Sequence, residues 1–137
     1  MFSSKSYGAQ DGRGELQLTD QAVNSFINYI KGDTSKGKSA FNKPLTLWIS
    51  NDGNLAYWWY CPYSSCQPGN GEQERKICEN NSNQSCSRFA RGRYVRWDNG
   101  INPKGKAAKF SSKMTENEIK NKLTKLGFYN NNLTTET

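Results

Sequence analysis

The chain contains no histidine among its 137 residues. That removes Ser-His-Asp and Cys-His nucleophilic mechanisms, every imidazole metal ligand, and the usual proton shuttle near neutral pH. Apolar residues make up only 34% of the chain, so the core is thin for its length. No run approaches the roughly 20 apolar residues that a bilayer-spanning helix needs. Cysteine is scarce but clustered. Cys61, Cys66, Cys78 and Cys86 fall in a C-x4-C-x11-C-x7-C pattern. There is no C-x2-C knuckle of the kind that builds zinc sites, and no redox C-x-x-C pair. Carboxylates are few and scattered, and no P-loop, G-x-S-x-G or dinucleotide fingerprint is present. The chain is therefore expected to do no chemistry and to need no cofactor or metal.

What remains for the cysteines is disulfide bonding. Four cysteines allow three connectivities. Short loops close at the lowest entropic cost, which favours Cys61–Cys66 with Cys78–Cys86. The crossed pairing, Cys61–Cys78 with Cys66–Cys86, stays open. Disulfides imply an oxidising compartment, periplasmic or secreted. The first residues point the same way. Phe2 to Gln10 reads as the end of a secretory signal with a small-residue cleavage site, although the charged and apolar regions of a full signal are missing. Residues 1–12 are thus expected to be flexible. Residues 13–129 form one domain, and 130–137 a loose tail.

Within that domain, Glu15 to Leu18 alternates as a short edge strand. Thr19 then caps a helix whose Val23, Phe26, Ile27 and Ile30 share one face. Leu18 and Val23 stand at hydrophobic-staple positions, and Gly32 stops the helix. Residues 33–43 read as loop. Pro44–Ser50 and Leu55–Cys61 form a hairpin around Asn51-Asp52-Gly53-Asn54, and Pro62 ends it. Glu72–Asn80 reads as a short helix. Ser87–Ala90 and Tyr94–Trp97 are strand pieces around Gly92, and 99–113 is a long loop. Thr115-x-x-Glu118 is a full capping box opening a helix with Ile119, Leu123 and Leu126 on its apolar stripe. Gly127 closes it, and Phe128 and Tyr129 fold back on the body. The fold class is α+β: a small antiparallel sheet of 3–5 strands packed by two or three helices and stapled by disulfides.

Two surfaces could bind a ligand. The strand Leu55–Cys61 is aromatic on both faces, with Tyr57 and Trp59 on one and Trp58 and Tyr60 on the other. Either it is a central strand buried on both sides, or Trp58 and Tyr60 form a stacking platform. The second surface is basic. The net charge of +7 is carried almost wholly by residues 88–125, which hold eleven bases and three acids. There Arg88, Arg91, Arg93 and Arg96 interleave with aromatics. By strand alternation, Arg91, Arg93 and Arg88 line an exposed face while Phe89, Val95 and Trp97 turn inward. Such a surface suits an anionic glycan, lipopolysaccharide phosphates or a lipid headgroup. Single-stranded nucleic acid is less favoured, because no RNA- or DNA-binding motif accompanies it. A protein partner docking on the aromatic strand is the alternative.

The stretch Ile77-Cys78 to Cys86-Ser87-Arg88-Phe89-Ala90, continuing to Val95-Arg96-Trp97, has the form C-x7-C-x2-F-A…V-x-W. It resembles small secreted or periplasmic proteins of alphaproteobacteria that lack an assigned function, as does the ending Thr115 to Tyr129. The resemblance covers about a third of the chain. It implies an exported domain in which Cys78 pairs with Cys86, tying a helix to the following strand. It implies no reaction.

Overall fold

A computed structural model describes residues 11–31, 43–61, 72–101 and 108–130. The expected signal remnant through residue 10, the stop at Gly32, the loop after it, Pro62, Cys66 and the tail from 131 lie outside these residues. So do the side chains of Trp59, Tyr60 and Cys61.

The elements run α1 (Asp20–Lys31), β1 (Lys43–Ser50), β2 (Ala56–Cys61), α2 (Glu72–Ser82), β3 (Cys86–Arg91), β4 (Tyr94–Val95), β5 (Ala108–Lys109) and α3 (Glu116–Lys125). The strands form one sheet in the order β2-β1-β3-β4-β5, antiparallel at every pairing. The fold class is α+β, as the sequence predicts.

The helices form for the local reasons read above. The Thr19 hydroxyl accepts the Ala22 N–H, which satisfies one orphan donor at the start of α1. Val23, Phe26, Ile27 and Ile30 are buried. In α3 both arms of the capping box are made, Thr115 to the Glu118 N–H and Glu118 back to the Thr115 N–H. Gly127, at φ +88°, ends α3 by donating to Thr124, while Phe128 donates to Leu123. That is a Schellman motif, and it needs the left-handed conformation glycine adopts freely. Phe128 and Tyr129 then fold back as expected. The Phe128 carbonyl accepts from Leu18, and the Tyr129 hydroxyl donates to Asp20 at 2.7 Å.

The two sheet faces are unequal. Leu47, Ile49, Phe89, Ala90 and Val95 look toward α1 and α3 and build the main core with Phe26, Phe110, Ile119, Leu123 and Phe128. Phe26 meets the edges of Phe89 and Phe110, with ring centroids 5.5 and 5.0 Å apart. The opposite face carries a second, small cluster of Trp48, Cys78 and Cys86, with Tyr57 against it. Here α2 sits. Its one buried residue is Cys78, bonded to Cys86 of β3. Two amphipathic helices thus cover one face with their apolar stripes, and a third helix, with one buried residue, is held to the other by a disulfide.

Four expectations change. The strand predicted at Glu15–Leu18 does not form, although Leu16 and Leu18 are buried. Instead Asp11 and Arg13 make parallel bridges to Arg88 and Asp98. Asp11 and Gly12, expected in the flexible leader, are therefore part of the folded body. Part of the long loop at 99–113 pairs with β4 as β5, because Tyr94 and Val95 need partners on their free side. Finally, among the described strands β2 lies at one end of the sheet rather than at its centre.

Candidate functional site

The basic segment begins on β3, and its geometry turns on a bulge. Leu47 pairs with Ala90 and Trp48 with Arg88, so Phe89 is the extra residue. Phe89 and Ala90 both enter the main core. Arg88 and Arg91 consequently lie on the opposite, α2 side of the sheet, since directly paired residues share a face.

Arg88 is not a surface contact. Its side chain is fully buried, with the guanidinium 5.5 Å from the centre of the Trp48 ring and Nε donating to Asp11 Oδ1 at 2.7 Å. Arg96 is half-exposed and reaches the other oxygen of the same carboxylate at 3.4 Å. Arg93 departs in a different direction. Its Nε donates to the Ile30 carbonyl at 2.7 Å, at the negative end of α1. The expected face of Arg88, Arg91 and Arg93 therefore does not form. One arginine is sunk into the second core, one caps a helix, and Arg91 is left as the half-buried member on the α2 side.

The structure builds a different grouping around Arg91. It pairs across the ladder with Tyr94, and Tyr94 pairs with Lys109. The three side chains form a cation–aromatic–cation row running from β3 through β4 to β5. Tyr94 is 43% exposed and Lys109 is exposed. Beside this row lies an open groove of about 410 Å³, bordered by Arg93, Tyr94, Lys109, Phe110, Ser111 and Ser112. Among the described residues no acidic side chain lines it. The far wall is braced from α3: Lys122 donates to the Lys109 carbonyl and lies 5.1 Å from the centre of the Phe110 ring. The turn after β5 is held by the Ser111 N–H on Met114 Sδ and the Lys113 N–H on Ser111 Oγ.

The aromatic strand divides as its alternation predicts. Tyr57 joins the α2-side cluster, and Trp58 packs half-buried against the main core. Trp58 is thus tied to the chain's own interior. Tyr60, its expected companion in a platform, has a side chain outside the described residues.

Of the cysteines, Cys78 and Cys86 form the disulfide expected from loop length, joining α2 to β3. The Cys61–Cys66 pairing falls outside the described residues. Among the described residues no group of three or more Cys, Asp or Glu could hold a metal ion, and no helix is long and apolar enough to cross a membrane.

Sequence reasoning missed Tyr94, Lys109 and Asp11. Gly92 between two strand pieces was the signal for Tyr94, because a tight turn there puts it opposite Arg91. Lys109 and Asp11 carried no local signal. Neither a scan against protein-family models nor searches of curated proteins and solved structures finds a match for this chain.

Proposed function

We propose that this chain is a small exported, non-catalytic domain that binds an anionic or glycan-like ligand at the β3–β4–β5 side of its sheet. The observation that carries this reading is the Arg91–Tyr94–Lys109 row beside an open groove that no acidic side chain lines among the described residues. A cation on either side of an exposed phenol attracts an anion and offers a flat apolar ring to stack on. Export is supported by the Cys78–Cys86 disulfide, which persists in oxidising compartments. The ligand classes that fit are an anionic glycan and an anionic lipid headgroup. Single-stranded nucleic acid fits less well, because it needs several aromatic platforms in series.

The test is retention of the wild-type chain on heparin, lipopolysaccharide and single-stranded DNA columns across a salt gradient. Elution is expected at clearly lower salt for Arg91→Ala and Lys109→Ala than for the wild type. Absence of salt-sensitive retention on all three supports would sink the reading.

A second reading has one observation in its favour. Among the described strands β2 lies at the end of the sheet, and it carries Ala-Tyr-Trp-Trp-Tyr-Cys with no charge, so a partner protein could add a strand there. An assembly subunit of this kind would show a mass above the monomer by light scattering, or a pulled-down partner lost on Tyr57→Lys.

A further inference from the structure

The binding reading leaves the ligand's chemical class open, and the groove narrows it. Its border combines four kinds of group. Arg93 is a cation whose direction is set by its bond to the Ile30 carbonyl. Lys109 is an exposed cation on a flexible stem. Tyr94 offers a partly exposed ring. Ser111 and Ser112 add two consecutive hydroxyls. A site for a bare inorganic anion would need no aromatic wall. A nucleic-acid track would need a succession of exposed rings, yet Tyr94 is the one exposed large aromatic among the described residues. A membrane headgroup site would sit on an apolar rim that enters the bilayer. The only other exposed large apolar residue described is Ile101, which does not border the groove.

A pyranose ring bearing one anionic substituent uses all four groups. Its C–H face stacks on Tyr94, its carboxylate or sulfate lies between Arg93 and Lys109, and its hydroxyls meet Ser111 and Ser112. The volume of about 410 Å³ is at the low end of small-ligand sites, enough for a short saccharide segment rather than an extended chain. The groove is open, so further sugars could continue into solvent. Resting on the binding reading above, we infer that the β4–β5 groove recognises an anionic pyranose, a uronate or a sulfated sugar, held by Arg93, Tyr94 and Lys109.

The experiment is calorimetric titration of the full chain with four probes. These are a glucuronate-containing tetrasaccharide, a sulfated tetrasaccharide, a neutral tetrasaccharide of the same length, and inorganic sulfate. At least one charged saccharide is expected to bind about tenfold tighter than both the neutral one and sulfate. The preferred member identifies the anionic group as carboxylate or sulfate. Tyr94→Ala is expected to weaken the charged saccharide about fivefold, the size of one lost ring contact, with sulfate unaffected. Lys109→Met should erase most of the preference over the neutral saccharide. Equal binding of neutral and charged saccharides overturns the inference, as does sulfate binding as tightly as either saccharide. If the chain is retained on polyanion columns but binds none of these saccharides, the inference falls and the broader reading stands. If neither occurs, both fall.

Discussion

Asp11 and Arg88 stand 77 residues apart in the chain and meet at 2.7 Å, with the arginine side chain wholly buried against Trp48. The pair joins the N-terminal segment to β3 and neutralises a charge that the bulge at Phe89 has turned into the second core. The Asp11 carboxylate also reaches Arg96, so one acid serves two bases. Asp11→Asn takes the carboxylate charge away from the buried guanidinium and is expected to cost about 3 kcal/mol in a urea titration. The double variant Asp11→Asn with Arg88→Met is expected to recover at least half of that loss, because removing both charges is milder than orphaning one. A single variant with the wild-type midpoint would refute the assignment.

The disulfide anchors α2 more than it anchors the rest of the domain. Cys78 is the helix's one buried residue, and apart from Ile77 the rest of the helix is polar. Cys78→Ser with Cys86→Ser is expected to cost about 2.5 kcal/mol by loop entropy alone. Hydrogen exchange should show residues 72–82 losing protection while α1 and α3 keep theirs. Uniform loss across all three helices would contradict the separate attachment of α2.

Tyr129 gives the fold a pH dependence at the alkaline end. Its phenol is pushed up to about 12, first by burial and then by the hydrogen bond and charge of Asp20. An unfolded tyrosine titrates near 10. The native state therefore holds the proton more tightly. The stabilisation is fully present below about pH 10 and is lost as pH climbs toward 12. Wild-type stability should fall more steeply than that of Tyr129→Phe between pH 9 and 12. At neutral pH the variant is expected to lose roughly 1.5 kcal/mol with the hydrogen bond to a carboxylate. Parallel curves across that window would refute it.

Gly53 sits where the β1–β2 turn docks on the start of α1. Its φ is +75°, and a Cβ there would lie 2.0 Å from the Gln17 carbonyl oxygen. The Gly53 carbonyl also accepts the Thr19 N–H at 2.9 Å. Gly53→Ala is expected to cost roughly 2 kcal/mol or more, from the left-handed backbone plus the displaced segment. A thermal melt would register this as a drop of several degrees. An unchanged melting temperature would mean that the turn and the helix start are not tightly joined.

The legible part of this protein is the part that depends on near neighbours in the chain. The stripe Val23-Phe26-Ile27-Ile30, the capping box at Thr115 and Glu118, the Asp52-Gly53 turn and the Cys78–Cys86 bond each involve residues within eight positions of one another. Their physics is complete in a short window: helical period, cap hydrogen bonds, positive φ, and a small loop to close. The basic character of residues 88–125 was legible as composition, but its geometry was not. Strict alternation sets Arg88 and Arg91, three positions apart, on opposite faces. One extra residue at Phe89 brings both to the α2 side, where Arg88 is buried, and the carbonyl end of α1 captured Arg93.

Sequence by itself therefore determined the three helices, the β1–β2 hairpin, one staple and the charge of the basic segment. Tertiary structure decided the strand order, which face α2 covers, that Asp11 belongs to the domain, and that Arg93 alone of the four arginines borders the groove, beside Tyr94 and Lys109. The physical reason is that strand order and register are set by contacts between distant segments. A one-residue change of register moves a side chain to the opposite face, and no local pattern records where that change falls.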